Sequence, residues 1–173
     1  MRLPADVAEA VSAAMGASPT SVSPVGGGCI NETARVDTAA GPCFVKWRED
    51  APVGFFAKEA AGLGALAESG TVRVPDVLKV PGPRDAALVL SWIEPARSDR
   101  PAMEDAGRRL AQLHGLRGLV PGASEDGYIG TLPQVNTPPA DGSWLRFFRE
   151  QRIQSLASAL PSGIRSALEA LPL

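Results

Sequence analysis

Residues 20–47 read TSVSPVGGGCINETARVDTAAGPCFVKW. Three strand-like runs lie in this stretch, at Thr20 to Val25, Thr33 to Thr38 and Cys43 to Trp47. Gly26, Gly27 and Gly28, followed by Cys29, Ile30 and Asn31, separate the first two runs. Ala39-Ala40-Gly41-Pro42 reads as the turn before the third. The unit is strand, glycine-rich turn, strand, turn, strand, which is a meander of antiparallel strands.

Upstream, Leu3, Val7, Val11 and Ala14 repeat at three to four residues, so an amphipathic surface helix is expected from about Pro4 to about Gly16. Asp6 and Glu9 interrupt its apolar character, which argues against a signal peptide. Downstream, Pro52 to Glu68 puts Phe56, Ala60, Leu63 and Ala67 on one helical stripe, and Gly70 ends it. Pro75 to Val80 reads as a short strand and Pro81-Gly82-Pro83 as a turn. Ala86 to Ile93 is almost continuously apolar, as in a strand buried on both faces, and Glu94-Pro95 stops it. A helix is expected over Pro101 to His114, with Met103, Ala106, Leu110 and Leu113 on one side. Gly115 to Gly142 is rich in Gly, Pro and polar residues and reads as a long irregular region. Trp144 to Leu160 and Ser162 to Leu171 read as helices. The expected organisation is therefore α+β: residues 1–94 form a β-rich part with a five-stranded antiparallel sheet, and residues 95–173 an all-helical part.

Composition narrows the function. The 173 residues carry 17 basic and 19 acidic side chains, a net charge of −2, which excludes a nucleic-acid binder driven by bulk charge. No apolar run approaches the ~18 residues of a membrane span. Two cysteines and one histidine form neither a disulfide framework nor a metal motif. A reducing, cytoplasmic setting is expected.

Chemistry concentrates in the same opening stretch. Amides of a glycine-rich turn approach phosphate closely because no Cβ intervenes; a plain hairpin turn is the simpler alternative. The glycines do not fit G-x-x-x-x-G-K-S/T, and no helix follows them, which excludes a Walker loop and disfavours a dinucleotide-binding turn. A loop between antiparallel strands is how protein kinases cover nucleotide phosphates. Lys46 stands among Phe44, Val45 and Trp47, where a charge is costly unless paired; otherwise it is an edge lysine facing water. Glu59, beside the apolar stripe of the next helix, is the candidate partner, and Glu68 at the helix end competes. Such a pair aims an ammonium at the α- and β-phosphates. Ser91-Trp92-Ile93-Glu94 then stands where a kinase hinge would lie.

In this order of features the chain resembles the fructosamine kinase (ketosamine-3-kinase) family, relatives of the aminoglycoside and choline kinases. The resemblance rests on GGGCINETARV (26–36), FVKW (44–47), FFAKEAAGL (55–63), GRRLAQLHG (107–115) and GYIGTLPQVN (127–136), and on W-x-x-FF-x-x-x-R from Trp144 to Arg152. It implies a protein-kinase-like N-lobe followed by a helical C-lobe. By resemblance, Gly26 to Asn31 cover ATP, Lys46 and Glu59 position its phosphates, and Ser91 and Ile93 supply hinge backbone contacts. The implied substrate is a ketosamine, a fructosamine or ribulosamine on a small amine or a protein lysine. Phosphorylation at the sugar 3-hydroxyl would destabilise the adduct and promote deglycation.

The chain also departs from the family. Its members are longer, with a His-Gly-Asp-Leu-Trp catalytic loop and a second Asp for Mg²⁺, both beyond the helix that starts at Trp144. Neither is present. No catalytic residue or metal ligand is therefore assigned, and the Mg²⁺ ligands are expected in the absent part. The expectation is a truncated form with little activity. His114 reads as a partly buried residue at a helix end, and Asp126 and Asp141 as loop acids. Thr131, Gln134 and Asn136 could line a sugar pocket or brace a loop. Trp144, Phe147 and Phe148 read as core anchors. Cys29 could be oxidised or pair with a second chain, so monomer and dimer both stay open; the plain reading is an inert small residue. Cys43 is expected to be buried. The rival readings are an aminoglycoside- or choline-type kinase and a non-catalytic nucleotide-binding remnant or interaction module.

Overall fold

The computed structural model describes residues 1–28, 30–82, 85, 87–157 and 160–170, with the side chains of residues 156 and 169 left aside. Cys29, Pro83, Ala86, the Leu156 side chain and Leu171, all named above, lie outside the described set. Residues 1–116 form one compact unit and residues 117–173 a second. No helix among the described residues is long and apolar enough to cross a membrane.

The first unit opens with α1, Ala5–Met15, which ends on left-handed Gly16. A five-stranded antiparallel sheet follows: β1 Pro19–Pro24, β2 Glu32–Thr38, β3 Gly41–Trp47, β4 Val77–Lys79 and β5 Ala87–Ser91. Its order is β1-β2-β3-β5-β4. Helix α2, Phe55–Glu68, connects β3 to β4. The β2–β3 turn is tighter than the sequence suggests. Thr38 already pairs with Gly41, so the strand begins two residues before Cys43.

The two-residue period of the strands divides the core between two faces. Ala34, Val36, Cys43, Val45, Trp47, Ala87 and Val89 point one way and pack with Leu3, Val7 and Val11 of the α1 region. Leu88 and Leu90 point the other way, against Phe56 and Ala60 of α2, with Phe44 and Leu63 beside them. The expected surface helix α1 thus packs on one face of the sheet, and α2 on part of the opposite face. Four consecutive residues of β5, Ala87 to Leu90, are buried, which is why that run is apolar without alternation. The strand stops at Ser91, two residues earlier than expected.

Helix α3, Arg100–Gly115, starts on Asp99, whose side chain accepts from the Ala102 N–H, with Pro101 in the first turn. No residue of α3 is buried; Met103 and Leu110 of its apolar stripe are 63% and 48% exposed. His114 is exposed rather than partly buried, as are Ala111, Gln112 and Gly115 in the same last turn.

The second unit contains a hairpin inside the region expected to be irregular: β6 Gly127–Ile129 pairs antiparallel with β7 Leu132–Gln134. The expected helix from Trp144 is not uniform. It runs as α4, Trp144–Phe148, a π-helical turn, Arg149–Gln154, and α5, Ser155–Ala157; α6, Ser162–Glu169, follows. Of the three expected aromatic anchors only Phe147 is buried. Trp144 is 59% exposed and instead lies within 6 Å of both Phe147 and Phe148, centroid to centroid.

Candidate functional site

The α2-side face of the sheet is only partly covered. Helix α2 packs against β4 and β5, while Thr33, Arg35 and Asp37 of β2 and Phe44 and Lys46 of β3 are half-exposed on that side. Alternation dictates this split, since the neighbours of these residues in sequence are buried under α1. Lys46 pairs across the ladder with Thr33 and Leu88.

Lys46 and Glu59 meet on this face. Nζ lies 2.8 Å from Oε1 and 2.9 Å from Oε2, so the ammonium bisects the carboxylate. Glu59 stands one residue before buried Ala60, so the helix face that docks α2 on the sheet also delivers the carboxylate to β3. Glu68, the competing acid, is exposed at the far end of α2.

The glycine-rich loop rises from a closed neck. Val25 donates its N–H to the Thr33 carbonyl at 3.1 Å, and Thr33 Oγ1 donates back to the Val25 carbonyl at 2.6 Å. Beyond the neck, a Cβ on Gly26 or Gly27 would meet no atom within 4 Å, and Gly27 has φ +116°. The loop backbone is therefore open to a ligand. Asn31, at the far side of the loop, has a buried Oδ1 without a hydrogen-bond partner among the described residues. Ile30 is exposed.

At the end of β5, the Ser91 N–H donates to the Asp76 carbonyl at 2.9 Å, and Ser91 Oγ accepts from the Asp76 N–H at 2.8 Å. That amide is already used inside the sheet. Ile93, two residues on, is exposed. Between them, Trp92 donates Nε1–H to Glu94 at 2.7 Å, and the Arg35 guanidinium lies 5.0 Å from the Trp92 ring centre. Arg35 also pairs with Asp37 at 3.0 Å, and Ser21 donates to the same carboxylate at 2.6 Å. The Ser21 hydroxyl, followed by Arg35, holds the Asp37 carboxyl below its usual range. This lattice ties β1, β2 and the segment after β5 together; the sequence puts Arg35 in the 26–36 stretch and Trp92 in the hinge stretch, but no spacing signals that the two meet.

The three sugar-pocket candidates read from the sequence, Thr131, Gln134 and Asn136, lie in the second unit, and Thr131 is exposed. Gln134 is half-buried at the end of β7. Asn136 has both ends of its amide engaged: Oδ1 accepts from Arg152 Nη2 at 2.7 Å, and Nδ2 donates to the Glu125 carbonyl at 3.3 Å. Asp126 and Asp141 serve their own loops. Asp126 Oδ1 accepts from the Asn136 and Thr137 N–H groups, and Asp141 accepts from the Ser143 N–H.

These residues suit the phosphates of a nucleotide such as ATP: open loop amides and a fixed ammonium. They do not suit a metal cage. Among the described residues no group of three or more His, Cys, Asp or Glu side chains is gathered to hold an ion.

Comparison with known proteins gives the arrangement its context. Protein-ribulosamine 3-kinase of Arabidopsis thaliana is 34% identical over 137 residues, covering 78% of this chain and 41% of that protein. Ketosamine-3-kinase of mouse is 32% identical over 175 residues, covering 83% and 55%. A crystal structure described as a "putative fructosamine-3-kinase", from Thermobifida fusca, superposes with a TM-score of 0.77 at 34% identity, over 95% of this chain and 60% of the other. The chain thus spans about half the length of the curated relatives it matches. The sequence model of the fructosamine kinases matches residues 4–165, nearly the whole chain, and the chain belongs to that family.

Proposed function

We propose that these 173 residues form the nucleotide-binding half of an ATP-dependent ketosamine kinase. The observation that carries this reading is the Lys46–Glu59 pair beneath an open glycine-rich loop, in a chain of this family. Residues 1–94 act as the N-lobe and residues 95–173 supply part of the C-lobe. The amides of residues 26–31 cover the phosphates. Lys46, held by Glu59, neutralises charge on the α- and β-phosphates. Because the Ser91 N–H is spent on Asp76, adenine is read by other backbone groups at this edge, with Ile93 the nearest exposed candidate.

The acceptor is a fructosamine or ribulosamine on a small amine or a protein lysine, and the γ-phosphate goes to a sugar hydroxyl. Phosphoryl transfer also requires a group that positions that hydroxyl and a divalent cation. The described residues offer no cage for Mg²⁺, and no Asp-bearing catalytic loop is present. The 173-residue polypeptide by itself therefore transfers little phosphate. A cytoplasmic setting suits the two cysteines and the ketosamine reading.

Labelled ATP and an acceptor panel test this. The chain fused to the C-terminal half of the Thermobifida fusca relative is expected to label a ketosamine but neither an aminoglycoside nor choline, and the chain alone to label little. Labelling of choline or an aminoglycoside instead would assign the related small-molecule kinases. Transfer undiminished by Lys46→Ala would refute the nucleotide role.

A further inference from the structure

The second unit holds one densely built polar junction. Arg152 is its centre. Nη1 donates to the Val135 carbonyl at 2.6 Å, Nη2 donates to Asn136 Oδ1 at 2.7 Å, and the guanidinium carbon sits 4.6 Å from the centre of the buried Phe147 ring. The two nitrogens clasp consecutive residues of one strand exit, a fit to the planar fork of arginine that a lysine cannot reproduce. The π-helical turn at Arg149–Gln154 carries Arg152 on its extra-wide coil, a feature often retained at functional sites.

The far side of the junction is equally tied. Asp126 Oδ1 accepts from the Asn136 N–H at 2.8 Å, the Thr137 N–H at 3.3 Å and Thr137 Oγ1 at 3.2 Å. The Ala123 N–H donates to the Asn136 carbonyl at 2.9 Å. A segment rich in Gly and Pro, which would otherwise be loose, is therefore fastened at residues 135–137, directly after β7. Gln134 is the last residue of that strand, next to Val135. It is half-exposed, and no hydrogen bond to its side-chain amide occurs among the described residues.

We infer that Arg152 and Asn136 are positioning residues which fix Gln134 to read hydroxyls of the ketosamine sugar. Asn136 acts as a strut, with Oδ1 held by Arg152 and one N–H of Nδ2 held by the Glu125 carbonyl. The Gln134 amide offers a donor and an acceptor side by side, the complement of vicinal hydroxyls. Fixing its backbone in advance lowers the ordering cost of binding. The inference rests on the ketosamine-kinase reading above.

The test uses the 173-residue chain with fructoselysine and a fluorescent ATP analogue as separate ligands. Expected for Arg152→Ala and Gln134→Ala alike is about a tenfold loss of fructoselysine affinity, about 1.4 kcal/mol. The double variant is expected to be no worse than either single one, because both act on one contact. Arg152→Lys, which keeps the charge and the fold but not the fork, is expected to fall between. ATP-analogue affinity stays within twofold throughout. Additive losses, equal loss of ATP affinity, or fructoselysine binding that is undetectable or unmoved by Arg152→Lys and Arg152→Ala overturn the inference while nucleotide binding leaves the nucleotide half standing. A wild-type chain that binds neither ligand overturns the inference and the underlying reading together.

Discussion

At the scale of single residues, Lys46 shows how environment assigns a role. Its neighbours in sequence are apolar, and only a partner across the β3–α2 interface makes a charge tolerable there; Glu59 is that partner at 2.8 Å. Cys43 shows the reverse. Burial, and then the nearby Asp37 charge, push its thiol from 9.0 to about 11. The folded chain thus keeps a proton that the unfolded chain releases above pH 9. Stability from this group is complete below pH 9 and falls as pH rises towards 11, by up to about 1.4 kcal/mol per pH unit. Urea unfolding at pH 8.5 and 10.5 is expected to show a larger loss for wild type than for Cys43→Ala; equal losses contradict it. Gly122, with φ +98°, has the Asn136 carbonyl and Phe147 Cε2 where a Cβ would go, the latter at 2.9 Å. Gly122→Ala is expected to cost about 1–3 kcal/mol and to raise amide exchange at Ala123 and Thr137. Unchanged exchange there counts against the junction as described.

At the scale of elements, burial decides what a sequence reveals. Strands β2, β3 and β5 were legible because alternation or continuous apolarity marks which faces are covered, and α1 and α2 because their stripes are clean. The Lys46–Glu59 pair was legible from the same logic, a charge inside an apolar strand followed by an acid on the next helix. The β6–β7 hairpin was not, since strands of three residues, one carrying Pro133, are too short to show a period. Nor was the π-turn, which changes hydrogen bonding without changing composition. That a stripe on α3 is unburied, or that α1 and α2 take opposite faces, depends on tertiary placement, which periodicity does not encode. Two substitutions probe these elements. Leu88→Ala, in the layer between β5 and α2, is expected to cost about 2–5 kcal/mol in chemical denaturation. Asp99→Ala removes the cap of α3 and is expected to cost about 1 kcal/mol, read as faster amide exchange in its first turn; no change there would show the cap idle.

At the scale of the whole molecule, the two units differ in how much apolar surface they bury. The first is built on a sheet with a helix packed on each face. In the second, Phe147 and Ala157 are the buried apolar residues among those described. Hydrogen exchange is therefore expected to be slowest in β2, β3 and β5 and faster throughout residues 117–170; uniform protection contradicts two separately built units. The first unit carries the residues proposed for the nucleotide, and the second carries the hairpin proposed for the acceptor. The most direct test of the nucleotide reading is titration of the 173-residue chain with a fluorescent ATP analogue, wild type against Lys46→Met. The expected result is saturable binding that weakens at least about tenfold in the variant. Absence of binding in wild type, or equal affinity in both, would contradict the assignment of this chain as the nucleotide half of a ketosamine kinase.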